Sequence, residues 1–311
     1  MKKDITKILG IKYPIFQGAM AQISKYQLAA AVSNAGGLGI IASGGMSEEQ
    51  LREEVKNCKK MTDKPFAVNL MLMAPNIPDM IKVVVEEGVK VVTTGAGTPK
   101  KYMDTFNEAG IKVIPVVPSA KIAKKMEDIG AVAVVAEGSE AGGHIGELST
   151  MVLLPQVVAA VDIPVIAAGG IALGSSIAAV YALGAGGVQV GTAFMLAEEC
   201  PIPQNVKEFV ASTEEMDTVV TGRNGGAPVR SIRNKMIEQY IKWERENVPR
   251  EQLEELTMGS ARKAAAGDIE NGSVMAGQAS GLVSEIKPAK EIIETMFNDA
   301  RETIKNLKVN F

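Results

Sequence analysis

The sequence predicts an α/β protein of the (β/α)8 TIM-barrel class, with a mostly helical insertion over the C-terminal face of the barrel. Two observations carry that expectation: a series of short, near-continuously apolar runs, and a helical pattern after most of them. Apolar runs without alternation suit parallel strands covered on both faces. A regular strand–helix rhythm with glycine-rich strand ends suits the barrel. A doubly wound open sheet shares these features, because counting strands does not show closure.

In chain order, the strand candidates are Tyr13–Phe16, Leu38–Ala42, Phe66–Met71, Val89–Thr93, Lys112–Val117, Ala131–Val135, Pro164–Ala168 and Gly187–Val190. Helical stretches fall between them at Ser47–Lys60, Ile77–Glu87, Pro99–Ala109 and Ser119–Ile129. Gly88, Gly110 and Gly130 follow three of these, where a helix often ends in a left-handed glycine. Ser47 with Gln50 has the spacing of a capping box. After Phe194 the rhythm stops. Residues 201–273 show no strong strand but helical patterns at Ile232–Glu246 and Glu251–Ala266, and Ala289–Leu307 reads as an amphipathic helix that packs back on the barrel. The expected organisation is a barrel over 1–199, a helical lid over 200–273, and a covering loop with a C-terminal helix over 274–311.

Composition narrows the class. The 311 residues are 46% hydrophobic and 22% charged, ordinary for a chain with a large core. A net charge of -3 leaves no basic footprint for nucleic acid. The two cysteines, Cys58 and Cys200, make no metal-ligand spacing, and no metal site is expected. The N-terminal residues lack the apolar run of a secretory leader, and no run approaches the ~18 apolar residues of a membrane span. A cytoplasmic protein that binds neither membrane nor nucleic acid is expected.

In a barrel the loops after the strands gather at one face and build the site. The sequence loads that face with Gly18-Ala19-Met20, Asn69 and Met71, Thr94, Glu137, and Gly142-Gly143-His144. His144 is the sole histidine, in a glycine-rich loop that offers little packing, and imidazole titrates nearest neutral pH. A functional proton carrier is the sharper reading; an ordinary surface-loop histidine is the plainer one. Gly169, Gly170, Gly191 and Thr192 end the seventh and eighth strands, where barrels often hold a phosphate on backbone N–H groups. Relief of crowding at tight turns is the alternative for these glycines. Ser273–Gly281 is a second loop of small residues, including Met275, Ala276 and Gln278. There is no Gly-x-Ser-x-Gly elbow, Walker loop or Gly-x-Gly-x-x-Gly. No side chains here suit hard redox chemistry, which a bound cofactor would have to bring.

Tyr13–Met20, Glu137–His144, Ile166–Ile171 and Gln189–Thr192 resemble the nitronate monooxygenase superfamily of FMN-binding barrels. Within it, Lys90–Gly97, Val113–Ser119 and Gly272–Gln278 look like the FMN-dependent enoyl-acyl-carrier-protein reductases, the FabK type. The likeness covers nearly the whole chain and is thinnest over roughly residues 200–260. It implies NAD(P)H as co-substrate, FMN as cofactor, a trans-2-enoyl thioester on an acyl carrier protein as substrate, a homodimer and a response to monovalent cations. His144 would donate a proton or bind the thioester carbonyl. Gly169, Gly170, Gly191 and Thr192 would hold the FMN phosphate. Met20, Asn69, Met71 and Glu137 would line the flavin, and Met275–Gln278 would close over it. Arg223, Arg230, Arg233 and Lys235 cluster in the insertion and could form a basic patch for the acidic carrier, contact a nucleotide phosphate, or be an ordinary solvated face. The rival readings are an O2-using nitronate monooxygenase, a flavin-free sugar-phosphate lyase or isomerase, and a non-catalytic phosphate-binding module.

Overall fold

The computed structural model describes residues 4–308. Its main sheet holds eight parallel strands: Ile15–Gln17, Gly39–Ala42, Phe66–Met71, Val91–Gly95, Lys112–Val117, Val134–Glu137, Val165–Ala168 and Gly187–Val190. The first strand pairs with the last, Ile15 opposite Val188 and Gln17 opposite Val190. A Phe16–Leu38 bridge closes the remaining seam, with Leu38 N–H donating to Ile15 O at 2.8 Å and Gln17 N–H donating to Leu38 O at 3.0 Å. The buried Gln17 amide reinforces the seam, accepting from Ile40 N–H at 3.0 Å and donating to Ser24 Oγ at 2.8 Å. The sheet is a (β/α)8 barrel, and the open-sheet alternative falls.

Strand alternation sorts side chains into two layers. Phe16, Leu38, Ile40, Ala67, Val91, Ile114, Val135 and Ile166 fill the barrel interior together with Ile5, Leu9 and Ile11 from the N-terminal segment. Their neighbours Ile41, Val68 and Val92 pack instead under the outer helices. The short helix Ile5–Leu9, capped by the Asp4 side chain, therefore packs into the same core as the barrel interior.

Local signals are realised where the chemistry was specific. Ser47 and Gln50 form the reciprocal capping box of helix Glu48–Met61. Gly88, Gly110 and Gly130 follow their helices with φ of 62°, 66° and 99°. The terminal helix Ala289–Asn306 packs against helices Gly174–Ala182 and Tyr26–Asn34, the place of an eighth barrel helix. Gly174 permits that approach, since a Cβ there would collide with the backbone of Ala300.

Four expectations change. The sixth strand starts at Val134 rather than Ala131, because Ala131 N–H still bonds Met126 O in the preceding helix turn. The insertion is not free of strands: Thr218–Thr221 and Val229–Ile232 form an antiparallel hairpin, and Gly143–His144 adds a third strand. Ile232 thus ends a strand, and the helix begins at Lys235 behind Asn234, whose side chain accepts from Ile237 N–H at 2.9 Å. The expected helix Glu251–Ala266 is two, Arg250–Thr257 and Ser260–Ala265, broken at Gly259 with φ 71°.

Candidate active site

Alternation places a polar layer on top of the apolar barrel interior. Val91 points inward and Val92 outward, so Thr93 faces in and Thr94 faces out. Asn69 Nδ2 donates to Thr93 Oγ1 at 3.0 Å, which fixes both side chains toward the barrel axis. Glu137 and Gln189 complete this layer from the sixth and eighth strands.

Three adjoining cavities open above it. The middle one, about 400 Å³, is lined by Ala19, Asn69, Thr93, Glu137, His144 and Gln189, among others. A smaller one, about 80 Å³, takes Gly18, Met20, Gly142, Gly169, Gly170, Gly191 and Thr192, and shares Ala19, Glu137 and Gln189 with the middle cavity. The largest, about 620 Å³, lies under the insertion and shares His144 with the middle cavity. Met275 lines only this chamber. Of the remaining sequence candidates, Met71, Thr94, Gly143, Ala276 and Gln278 line none of the three. Thr94 is instead a buried hydroxyl outside the barrel, and Met71 is exposed on the rim. The covering loop reaches the small cavity through Gly277 and Ala279.

Thr93 and Gln189 are the residues of this polar layer that the sequence candidates lack, and Gln189 borders both the middle and the small cavity. Its signal was legible: an amide inside the otherwise apolar strand Gly187–Val190, only 8% exposed, is out of place unless something polar meets it.

The small cavity fits a phosphate tail. Gly169 and Gly170 take φ of 92° and 72°, conformations that favour glycine whatever lies nearby. Gly191 differs. Its φ is -106°, and a Cβ there would come no nearer than 4.0 Å to Met20 Sδ. Neither backbone nor packing asks for glycine at 191, and the space beside it stays open to the cavity it lines. Thr192 Oγ1 accepts Gly277 N–H at 3.0 Å, which leaves its own O–H to donate into the cavity it lines. Glu140 also borders this cavity, but Thr150 N–H donates to its carboxylate at 2.9 Å, so the charge rests on the N-terminus of helix Thr150–Ala160. The middle cavity, with its polar floor, has the size of a small-molecule site. Together the two suit FMN, ring in one and phosphate in the other.

His144 stands exposed at the junction, and among the described residues its imidazole has no hydrogen-bond partner. Its backbone is held as a strand opposite Val229. Arg230, next along, is buried and donates through Nη2 to Ser139 O at 3.1 Å and through Nη1 to Thr218 Oγ1 at 3.2 Å. Burial holds its guanidinium below the usual arginine value, opposed by the nearby Glu140 charge. Arg223 pairs with Glu147 at 3.0 Å, Arg233 with Glu238 at 2.7 Å and Lys235 with Glu270 at 3.9 Å. The four basic residues therefore do not form a free basic patch; one is an internal clamp and three are locally paired. At the junction of the middle and small cavities, loss of hydration pushes the Glu137 carboxyl up to about 7.

No helix among the described residues is long and apolar enough to cross a membrane. The family model for nitronate monooxygenase matches residues 2–83 and 76–299. The structure of FabK from Thermotoga maritima is similar at 47% identity and a TM-score of 0.94, over 98% of each chain. A 5-hydroxy-7a-methyl-1-oxo-octahydro-1H-indene-4-carboxyl-CoA dehydrogenase of Rhodococcus jostii is 38% identical over 76% of this chain and 67% of its own. A probable nitronate monooxygenase of Staphylococcus saprophyticus is 33% identical over 96% of this chain and 97% of its own. The match runs along almost the whole chain, and this protein belongs to the nitronate monooxygenase family of flavin-dependent oxidoreductases.

Proposed function

We propose that this enzyme reduces trans-2-enoyl thioesters carried on acyl carrier protein, with NAD(P)H as reductant and FMN as cofactor, in fatty acid elongation. The observation that carries the reading is the likeness to FabK, at 47% identity over 98% of both chains. The carboxyl-CoA dehydrogenase relative, itself named for a thioester, supports the same substrate class. A cytoplasmic homodimer and a response to monovalent cations belong to the same proposal.

Bound FMN supplies the two-electron chemistry that none of the lining side chains can perform. The chain does the rest. Gly169, Gly170, Gly191 and Thr192 offer backbone and hydroxyl donors to the phosphate. Asn69, Glu137 and Gln189 present polar atoms to the ring. His144, standing between the flavin cavity and the insertion chamber, delivers a proton to the α-carbon of the substrate or holds the thioester carbonyl by an imidazole N–H.

The rival is nitronate oxidation with O2, favoured by the Staphylococcus relative that matches over 96% of this chain. One pair of assays decides. NAD(P)H consumption that depends on a trans-2-enoyl thioester supports the reductase. Oxygen uptake with an alkyl nitronate, and no thioester-dependent NAD(P)H loss, overturns it. A preparation that stays colourless after FMN addition removes both readings in favour of a flavin-free lyase or binding module.

A further inference from the structure

We propose that the chamber of about 620 Å³ beyond His144 seats the acyl chain, and that Ile237, Tyr240 and Leu253 form the wall that sets which chain lengths fit. The identity of the occupant rests on the enoyl-thioester reading; the wall itself rests on geometry.

The insertion builds this chamber from one helix with buried apolar residues, Lys235–Arg245, and one whose residues core packing does not use. Helix Arg250–Thr257 has no buried residue, yet Leu253 lines the chamber. Short helices owe most of their stability to packing of an apolar face. Here that face looks onto open volume. Across from it, Met236 and Ile237 of helix Lys235–Arg245 line the same space, with Val248 from the connecting loop and Met275 from the covering loop. These apolar side chains share the lining with polar ones such as Asn224, Asn247, Thr257 and Ser273, and a mixed lining around a volume of this size is the make-up of a small-molecule pocket. Two methionines among them supply flexible, polarisable surface that adapts to chains of different length.

Charge selects among occupants. The charged side chains on the chamber are Glu244, Arg250 and Glu254, and Arg250 Nε is bonded to Glu254 Oε1 at 2.7 Å. Glu244 is left over, so the lining is net negative. A dinucleotide would bring its pyrophosphate against that carboxylate, and repulsion grows as water is excluded. An uncharged hydrocarbon tail meets no such cost. His144 fixes the direction: the reacting end lies at the flavin cavity and the tail runs away from it under the insertion.

The test is Leu253→Trp, on a helix whose residues do not hold the core. FMN content and melting temperature stay at the wild-type value. With crotonyl thioester, kcat/KM stays within about twofold. With trans-2-decenoyl thioester it falls about tenfold through KM, since each methylene denied burial is worth about fourfold in affinity. An equal effect on both substrates, no effect on either, or a rise in KM for NAD(P)H alone overturns the chain site. A wild type that reduces no enoyl thioester would fail the functional reading separately. Calorimetry with saturated decanoyl-pantetheine then decides the chamber: binding weakened about tenfold by Leu253→Trp sustains an acyl site, and absent or unaltered binding removes it.

Discussion

His144 lies opposite Val229 in an antiparallel strand pair, so the loop after the sixth barrel strand and the insertion hairpin form one sheet. A run as rich in glycine as Gly142-Gly143-His144 has little order of its own. Strand pairing from one side supplies that order, and a close backbone approach between Gly142 and Ala276 supplies it from the other. The side chain that remains free is the imidazole, between the flavin cavity and the chamber.

His144→Ala separates chemistry from structure. The ring is exposed and makes no hydrogen bond among the described residues, so stability should change by no more than about 0.5 kcal/mol. FMN content, read from visible absorbance, should equal the wild type. Steady-state kcat/KM for an enoyl thioester should fall about 10²- to 10⁴-fold, the span of a positioned proton donor. Turnover near the wild-type rate would take His144 out of the reaction.

Arg230→Met tests the clamp between hairpin and His loop. The change keeps much of the apolar stem but leaves Ser139 O and Thr218 Oγ1 without their buried donor. A hydrogen bond from a charged group is worth about 1.5–3 kcal/mol, and the urea midpoint should drop accordingly. A midpoint within error of the wild type would mean that Arg230 is a solvated charge rather than a clamp.

How much of this was legible depends on the kind of signal. Barrel strands were readable because buried parallel strands are apolar throughout, and helix ends because Ser47, Gly88, Gly110 and Gly130 have specific chemistry. That same unbroken hydrophobicity hides which residues face inward. Thr93 lines the site and Thr94 does not, a phase that shows in the inward Val91 and in the Asn69–Thr93 hydrogen bond. The hairpin is not legible because Thr218–Thr221 and Val229–Ile232 mix polar residues into short, partly exposed runs, and the third strand, Gly143–His144, comes from far earlier in the chain. Pairing of that kind has no local pattern. The flavin-site glycines were visible as residues, but their reasons were not. A Cβ at Gly142 would meet backbone, whereas one at Gly191 would stand in open space.

That contrast yields a paired prediction. Gly191→Val should fold with a melting temperature close to the wild type, yet lose FMN affinity at least about tenfold, since the added methyls enter the ligand space. Gly142→Ala places a Cβ 2.6 Å from the Ala276 carbonyl carbon and should cost about 1–3 kcal/mol in stability. Fluorescence titration of the stripped protein with FMN reads the first, and urea unfolding the second. Should Gly191→Val bind FMN as tightly as the wild type, the small cavity does not hold the phosphate.

Glu137 predicts a pH dependence whose sign follows from its surroundings. Loss of hydration pushes its carboxyl up to about 7, so the folded state favours the neutral acid more than the unfolded chain does. Well below the ordinary glutamate range both states are protonated and the residue costs nothing. As pH rises through the interval up to about 7, the unfolded chain ionises first, and stability falls. Above it both states are ionised and the full penalty stands. The interval between 4.5 and about 7 corresponds to roughly 3 kcal/mol, an upper figure because the carboxyl opens to the cavity. Glu137→Gln keeps the shape and removes the titration. Urea unfolding of the flavin-stripped pair should therefore show the variant gaining on the wild type between about pH 5 and about pH 8. A difference that stays flat across that range would mean a counter-charge sits beside Glu137, and its place as the neutral floor between ring and phosphate would fall.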